Sequence, residues 1–306
     1  PAVCGPAFLG LPQDIAAEAY EFPEEFFATT VRTMPRPRPD LSELEEATRV
    51  LRAANKPVII AGGGVHYSLA EAELAHFAST HSIPVVETVA GKSSLLADHP
   101  NYAGPLGVTG AAAANAVVSQ ADVVIAVGTR LEDFTTGSWT LFHNDAQFIG
   151  VNAARFDAIK HRAVPVVGDA RETLTEWDAV LGEWAAAPSW MTEVQQHRKD
   201  LASFVDSRTR DDGQWPPSYA PLVGLVNDAA TPDDYVLTAA GGLPGELNIN
   251  WMSKAVASFD CEYGFSCMGY EISGAWGAAM ARRTGDVFSL VGDGSYLMMN
   301  SDIYAS

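Results

Sequence analysis

Long apolar runs are missing from this 306-residue chain. No stretch approaches the roughly 20 consecutive apolar residues needed to span a bilayer, so no membrane helix is expected. Cysteine is scarce. Cys4, Cys261 and Cys267 are odd in number and form no CxxC pair, which argues against a disulfide framework or a zinc ribbon and for reduced thiols in a cytoplasmic protein. Metal-ligand spacing is absent too, because the seven histidines are scattered with no HExxH pair. Basic residues are few: 19 Lys and Arg against 38 Asp and Glu give a formal net charge of −19, which repels phosphate backbones and speaks against a nucleic-acid partner. The opening residues, PAVCGPAFLGLP, carry no initiator Met, no basic leader and no cleavage pattern. No signal peptide is expected, and the chain reads as continuing from an upstream segment.

What is present suits a soluble α/β protein, with 47% hydrophobic and 19% charged residues. The length allows about two domains of roughly 100–200 residues each. Residues 1–33 read as a terminal piece, with AFLGLP a short apolar strand and an acidic, aromatic stretch through Phe26 and Phe27. The alternating prolines of MPRPRPD, 34–40, predict an extended linker. Residues 34–185 form one domain in which helix and strand patterns alternate. A helix over 41–53 is predicted from Leu44, Ala47, Val50 and Leu51, and Ala70, Leu74, Phe77 and Ala78 mark another buried helical face. Helices are also predicted over 111–119 and 171–181. VIIA (58–61), IPVV (83–86), VVIAV (123–127), FIGV (148–151) and PVV (165–167) are short apolar strands, so a parallel, Rossmann-like sheet covered on both faces follows. Residues 186–216 read as a linker region with a polar helix near 193–205. In 217–306 the alternation resumes: a helix through Val226, strands at YVLT (235–238), VASF (256–259) and VFSLV (287–291), and a small-residue helix over 272–282.

Two glycine-rich loops carry the candidate chemistry. Gly62-Gly63-Gly64-Val65-His66-Tyr67 lies between a strand and a helix. A dinucleotide fingerprint would need GxGxxG, and Tyr67 stands where the third glycine belongs, although Glu87 could serve as the acidic ribose ligand. The other reading is a tight βα turn that needs glycine for its backbone angles. Gly292-Asp293-Gly294-Ser295 follows the buried strand VFSLV. An Asp between glycines at a strand end can offer a carboxylate to Mg²⁺ while backbone N–H groups reach phosphate oxygens; the alternative is an ordinary DG turn.

The surroundings of that loop resemble the thiamine-diphosphate enzymes of the acetolactate-synthase type. Tyr263-Gly264-Phe265-Ser266-Cys267-Met268-Gly269-Tyr270, then a small-residue helix, then VGDGSYLMM, is similar to the family's diphosphate-binding domain. The resemblance implies that Met268 is the hydrophobic wedge beneath a bent cofactor, that Asp293 is a Mg²⁺ ligand, and that Gly292, Gly294, Ser295 and Ser266 line the cofactor. Ala240-Gly241-Gly242-Leu243-Pro244-Gly245 matches the earlier diphosphate-side loop, which adds Gly241, Gly242 and Leu243. KPVIIAGGG through ADVVIAVGTRLEDF resembles the family's middle domain, and AFLGLPQDI the end of its pyrimidine-binding domain. The fold implied is a Rossmann-like middle domain followed by the N-terminal part of a second α/β domain. GTRLEDFTTGSW, VETVAGKS and EYGFSCMGYE resemble more narrowly the branch that hydrolyses a cyclic dione in inositol catabolism. An acetolactate-synthase-like carboligase would carry a different middle-domain continuation and a GQHQMW-like loop where AGGLPGEL stands.

The resemblance implies thiamine diphosphate and Mg²⁺ as cofactors, a small cyclic dione as substrate, and a homo-oligomer formed through the pyrimidine-binding domain. It also places the proton-relay glutamate upstream of Pro1 and a second metal-ligating Asn beyond Ser306. The chain alone is therefore expected to bind cofactor weakly or not at all and to show no turnover. A nucleotide-sensing module built on the 62–64 loop is the rival from another class.

Overall fold

The computed structural model describes residues 8–31, 33–239 and 241–305, which build two all-parallel sheets. The larger sheet contains β1 Pro57–Ala61, β2 Val85–Glu87, β3 Tyr102–Pro105, β4 Val123–Val127, β5 Gln147–Asn152 and β6 Val164–Val167, in the order β3-β2-β1-β4-β5-β6. Ile59 of β1 lies between Val85 and Ile125 of its neighbours. The two-residue period of a strand divides β1 between two cores. Ile59 and Ala61 join Leu44, Leu74, Phe77 and Trp177 on one face, while Val58 and Ile60 join Val117, Val124 and Trp190 on the other. The indoles buried in these two cores are satisfied: Trp177 Nε1–H donates to Thr48 Oγ1 at 2.9 Å and Trp190 Nε1–H to the Pro57 carbonyl at 2.8 Å.

The helices appear where the apolar spacing put them, at Leu41–Arg52, Glu71–Thr80, Ala112–Ser119 and Ala170–Leu181. Side-chain caps fix two of their starts. Asp40 accepts the Ser42 N–H, and Asp169 accepts those of Arg171 and Glu172. The proline run is extended as expected and is strapped down: Arg36 pairs with Asp169 at 2.8 Å, and the Pro37 carbonyl accepts the Asp169 N–H at 2.8 Å.

Several expectations are corrected. AFLGLP is not a strand: residues 8–12 are exposed, with Phe8 98% accessible, and pair with no sheet, while Ala7 lies outside the described residues. Its backbone therefore has no ladder to join. The polar helix of the linker region is longer than its pattern suggested, running over Pro188–Thr209, with Trp190 and Val194 buried against the larger sheet. The apolar pattern gives no sign of β3, whose Tyr-Ala-Gly-Pro pairs only with β2.

The smaller sheet comprises β7 Tyr235–Thr238, β8 Phe259–Cys261 and β9 Val287–Ser289, in the order β8-β7-β9. VASF does not form a strand as a unit. Ala257 is left-handed (φ 50°) and the Ser258 N–H donates to Ser93 Oγ at 3.2 Å, so pairing begins only at Phe259. VFSLV pairs as β9, and the Leu290 N–H still reaches the Leu237 carbonyl at 3.0 Å. The helices Tyr219–Ala229, Leu243–Asn250, Tyr270–Ala281 and Asp293–Met299 surround this sheet, whose core is built from Val223, Val236, Leu247, Trp251, Phe259 and Leu290. Among the described residues no helix is long and apolar enough to cross a membrane.

Candidate functional site

Open parallel sheets bind ligands where the strand order reverses, outside the carboxyl ends of the strands. This chain has two such points. In the larger sheet the reversal falls between β1 and β4, and in the smaller one between β7 and β9. The glycine loops singled out from the sequence follow these strands.

At the β7/β9 reversal the glycines face open space. Gly241, just past β7, is left-handed (φ 90°), and a Cβ added there would meet nothing within 4 Å; the same holds at Gly292, just past β9. Ala240 lies outside the described residues. Asp293 is exposed, and its Oδ1 accepts the Gly294 N–H at 2.9 Å. A Cβ on Gly294 would stand 3.1 Å from Met268 Cε, so the thioether packs against the loop that carries Asp293. Met268 keeps 42% of its surface exposed. Met268, Asp293 and Gly294, which the resemblance grouped, are neighbours here.

Two carboxylates that sequence reasoning did not single out shape this loop. Glu262 accepts the N–H groups of Phe265 (3.1 Å) and Cys267 (2.6 Å), and within that turn the exposed Ser266 is left-handed (φ 52°). Buried Glu271 accepts the Gly269 N–H at 3.0 Å, and its backbone carbonyl accepts Ser289 Oγ–H at 2.7 Å, which ties the loop's end to β9. Gly269 must be glycine, because its φ is 96° and a Cβ would come within 2.0 Å of Met299 Cγ. The neighbouring thiols are not poised as nucleophiles. Burial, helped by Asp260, pushes Cys261 up to about 12, and desolvation with Glu262 raises Cys267. Two other expected site residues are less accessible: Leu243 packs into the smaller core beside exposed Gly242, and Ser295 is buried.

Among the described residues no cluster of three or more His, Cys, Asp or Glu side chains could hold a metal ion. One exposed carboxylate beside open glycines fits Mg²⁺, which takes one or two protein carboxylates and completes its shell with phosphate oxygens and water. A free phosphate-bearing ligand would find space there that a Cβ at Gly241 or Gly292 would fill.

At the β1/β4 reversal the glycines serve contact instead. A Cβ on Gly64 would lie 2.5 Å from Gly128 Cα, and one on Gly62 2.5 Å from the Gly128 carbonyl. The Gly64 N–H donates to that carbonyl at 2.9 Å. Glu87 is buried and accepts the Leu95 N–H at 2.9 Å, so it is not presented to a ribose. Here the glycines are a packing device: none of Gly62, Gly63 and Gly64 has a positive φ, so close contact, and not the backbone angles a tight turn would demand, requires them.

Residues 44–177 match the model of the thiamine pyrophosphate enzyme central domain, and residues 245–305 that of the thiamine pyrophosphate enzyme C-terminal TPP binding domain. A protein of Geobacillus thermodenitrificans named 3D-(3,5/4)-trihydroxycyclohexane-1,2-dione hydrolase is 37% identical over 327 aligned positions, covering 100% of this chain and 51% of its own length. Proteins of the same name from Bacillus velezensis and Clostridium perfringens are each 38% identical, covering 99% of this chain and 51% of theirs. The chain thus spans about half the length of the curated relatives it matches.

Proposed function

This chain belongs to the thiamine pyrophosphate enzymes, and from that premise we propose that its smaller sheet holds the diphosphate end of thiamine diphosphate through Mg²⁺, as part of a hydrolase that opens a trihydroxycyclohexanedione ring to an open-chain acid, 5-deoxyglucuronate. The observation that carries this reading is the meeting of Asp293, Gly294 and Met268 beside glycines that open onto free space at a strand-order reversal. Asp293 would ligate the metal. Gly241, Gly242, Gly292 and Gly294 leave the backbone free to approach phosphate oxygens, and Met268 would support the cofactor's bend, with Ser266 and Leu243 at the rim. When bound, thiamine diphosphate supplies a nucleophilic carbon and an electron sink for breaking a C–C bond. This chain's part is to bind and orient.

No proton-relay acid is proposed from these residues, since Glu262 and Glu271 are already engaged by backbone N–H groups of the 265–269 loop. The apolar side chains exposed on the smaller domain, Met280, Leu297 and Tyr304, favour association with a second copy. With a single carboxylate on the metal, the chain alone should bind magnesium thiamine diphosphate with a dissociation constant approaching the millimolar range, about 4–5 kcal/mol, and show no turnover. Calorimetric titration checks this. The expected heat requires Mg²⁺ and is lost, by at least about tenfold in affinity, in Asp293→Ala. Binding that ignores both Mg²⁺ and Asp293 would overturn the assignment, and low-micromolar binding would overturn the claim of weakness.

A further inference from the structure

Between the two sheets runs a turn that the proposed chemistry does not use. Lys92 and Ser93 follow β2 in the larger domain, are 1% and 0% exposed, and make their outward bonds to the smaller domain. Lys92 Nζ donates to the backbone carbonyl of Asn248 at 2.8 Å. That carbonyl lies in the last turn of Leu243–Asn250, where helix carbonyls lose their own donors. The ammonium also stands 5.7 Å from the centre of the Phe259 ring, at the start of β8. Ser93 holds the approach to β8 twice, its carbonyl accepting the Ala257 N–H at 3.1 Å and its Oγ the Ser258 N–H at 3.2 Å.

Two features show that this turn is held in place and is not a relaxed surface contact. Ser93 has φ 68°, a left-handed backbone that costs a non-glycine residue on the order of 1 kcal/mol and persists only when its surroundings fix it. An ammonium buried to this degree is also costly, and here the Asn248 carbonyl and the Phe259 ring hold it. His66 fixes the turn from behind: its ring lies 2.8 Å from Glu71 Oε1 and 3.0 Å from the Lys92 carbonyl. Both partners are acceptors, so the doubly protonated ring satisfies them together. The Glu71 hydrogen bond, working against burial, raises the His66 pKa in that direction.

The two elements gripped by this turn end at the candidate site. Leu243–Asn250 begins just after Gly241-Gly242, and Leu243 lies about 7.5 Å along the helix from the gripped Asn248. β8 leads within one residue into the Glu262–Met268 loop. We propose that Lys92 and Ser93 are positioning residues, a tether from the larger domain that sets the spacing of the two loops which receive the cofactor. The inference rests on the thiamine-diphosphate reading for the identity of the ligand, and on the bonds above for the tether itself.

The test uses the double variant Glu87→Gln, Lys92→Met in the full chain, which removes the ammonium and the carboxylate it faces while Gln keeps the oxygen that accepts the Leu95 N–H. Three readouts are taken: thermal melting, amide hydrogen exchange without cofactor, and calorimetric titration with magnesium thiamine diphosphate. The expected result is a melting temperature that holds or rises, since both members of the buried pair have gone. Exchange at residues 243–251 and 258–263 should quicken at least tenfold, and the cofactor should bind several-fold more weakly. A structural role alone would move melting and binding together. Unchanged exchange at both elements would overturn the tether. If the double variant does not fold, Ser93→Ala, which removes only the Oγ acceptor, must quicken exchange at Ser258 and its neighbours, and its failure to do so overturns the proposal equally. If the wild-type chain binds no thiamine diphosphate while exchange responds as described, the functional reading falls and the tether stands.

Discussion

The two strand-order reversals in this chain are built from the same residue type and put it to opposite use. At the β1/β4 crevice, glycine lets two backbone loops touch: Gly62 and Gly64 lie where any side chain would strike Gly128. At the β7/β9 crevice, glycine leaves room, since side chains at Gly241 or Gly292 would meet nothing. The first crevice is closed by its own backbone and flanked by buried charge, Glu87 and Lys92. The second is open and presents an exposed carboxylate, Asp293. A glycine-rich turn at a switch point is therefore not in itself a ligand site. What separates the cases is whether the absent Cβ would meet protein or space.

The sharpest way to break that distinction is to add the Cβ at both places. Gly64→Ala should destabilise the chain by about 3 kcal/mol or more, because backbone atoms 2.5 Å away cannot move aside as a flexible side chain would. Gly292→Ala has φ −76° and ψ 156°, which alanine adopts freely, so its stability should stay within about 0.5 kcal/mol of wild type while magnesium thiamine diphosphate binding weakens. Urea denaturation of the two variants decides it. Equal destabilisation would mean that the open crevice is not open.

The buried pair at the closed crevice gives a second, somewhat smaller effect. Burial pushes Glu87 up to about 7 and Lys92 down to about 8, each group partly relieving the other. The groups facing Glu87 are Lys92, His66 and the buried Tyr102 hydroxyl, whose own pKa burial raises well above normal. Between about pH 4.5 and 7 the folded chain holds a proton on Glu87 that the unfolded chain has lost, so stability falls as pH rises through that window. Between about 8 and 10.5 the unfolded chain keeps the Lys92 proton and the folded one does not, so stability rises with pH. The result is a trough near neutrality, with a contribution on the order of 3 kcal/mol from each group. The double variant Glu87→Gln, Lys92→Met should flatten it in denaturation curves taken across pH. A wild-type profile that rises from pH 5 to 7 and keeps that slope in the double variant would show that the pair does not control stability there.

How much of this was legible beforehand depended on whether a feature repeats within a few residues. The helix over Leu41–Arg52 and the buried strand Val123–Val127 declare themselves by apolar period alone. β3 does not: Tyr-Ala-Gly-Pro has the composition of a turn, and it is a strand only because it forms the edge beside β2, with a register shift at Val85/Val86. The segment preceding β8 departs from its pattern because the Ser93 turn takes the Ala257 and Ser258 N–H groups from across the molecule, leaving the Ser258 carbonyl alone to accept from Val236 of β7. Asp293 and Met268 could be singled out by their motifs, but Glu262 and Glu271 carry no signal except position, since an acid beside a turn is usually solvated. The closed crevice was ambiguous for the same reason. Gly128 is remote in sequence from Gly64, and no local pattern links them.

Met268 offers the smallest effect and the finest test of the comparison. Its thioether touches the Gly294 loop at one end and keeps 42% of its surface open, so it is neither core nor free surface. A buried methionine cut to alanine costs about 2–5 kcal/mol. A half-exposed one on a loop pinned by Glu262 should cost far less, about 0.5 kcal/mol, because the hydrogen bonds that shape the loop are made by backbone N–H groups and survive. Met268→Leu should match wild type in stability and in cofactor affinity, because it restores apolar bulk of similar volume. Met268→Ala should bind magnesium thiamine diphosphate a few-fold more weakly at nearly unchanged stability in denaturant. Such a split is what a side chain does when it lines space, whereas a side chain that fills a core moves both quantities together. A loss of 2 kcal/mol or more in Met268→Ala would assign this methionine to the packing of its own domain and leave the open crevice without its apolar wall.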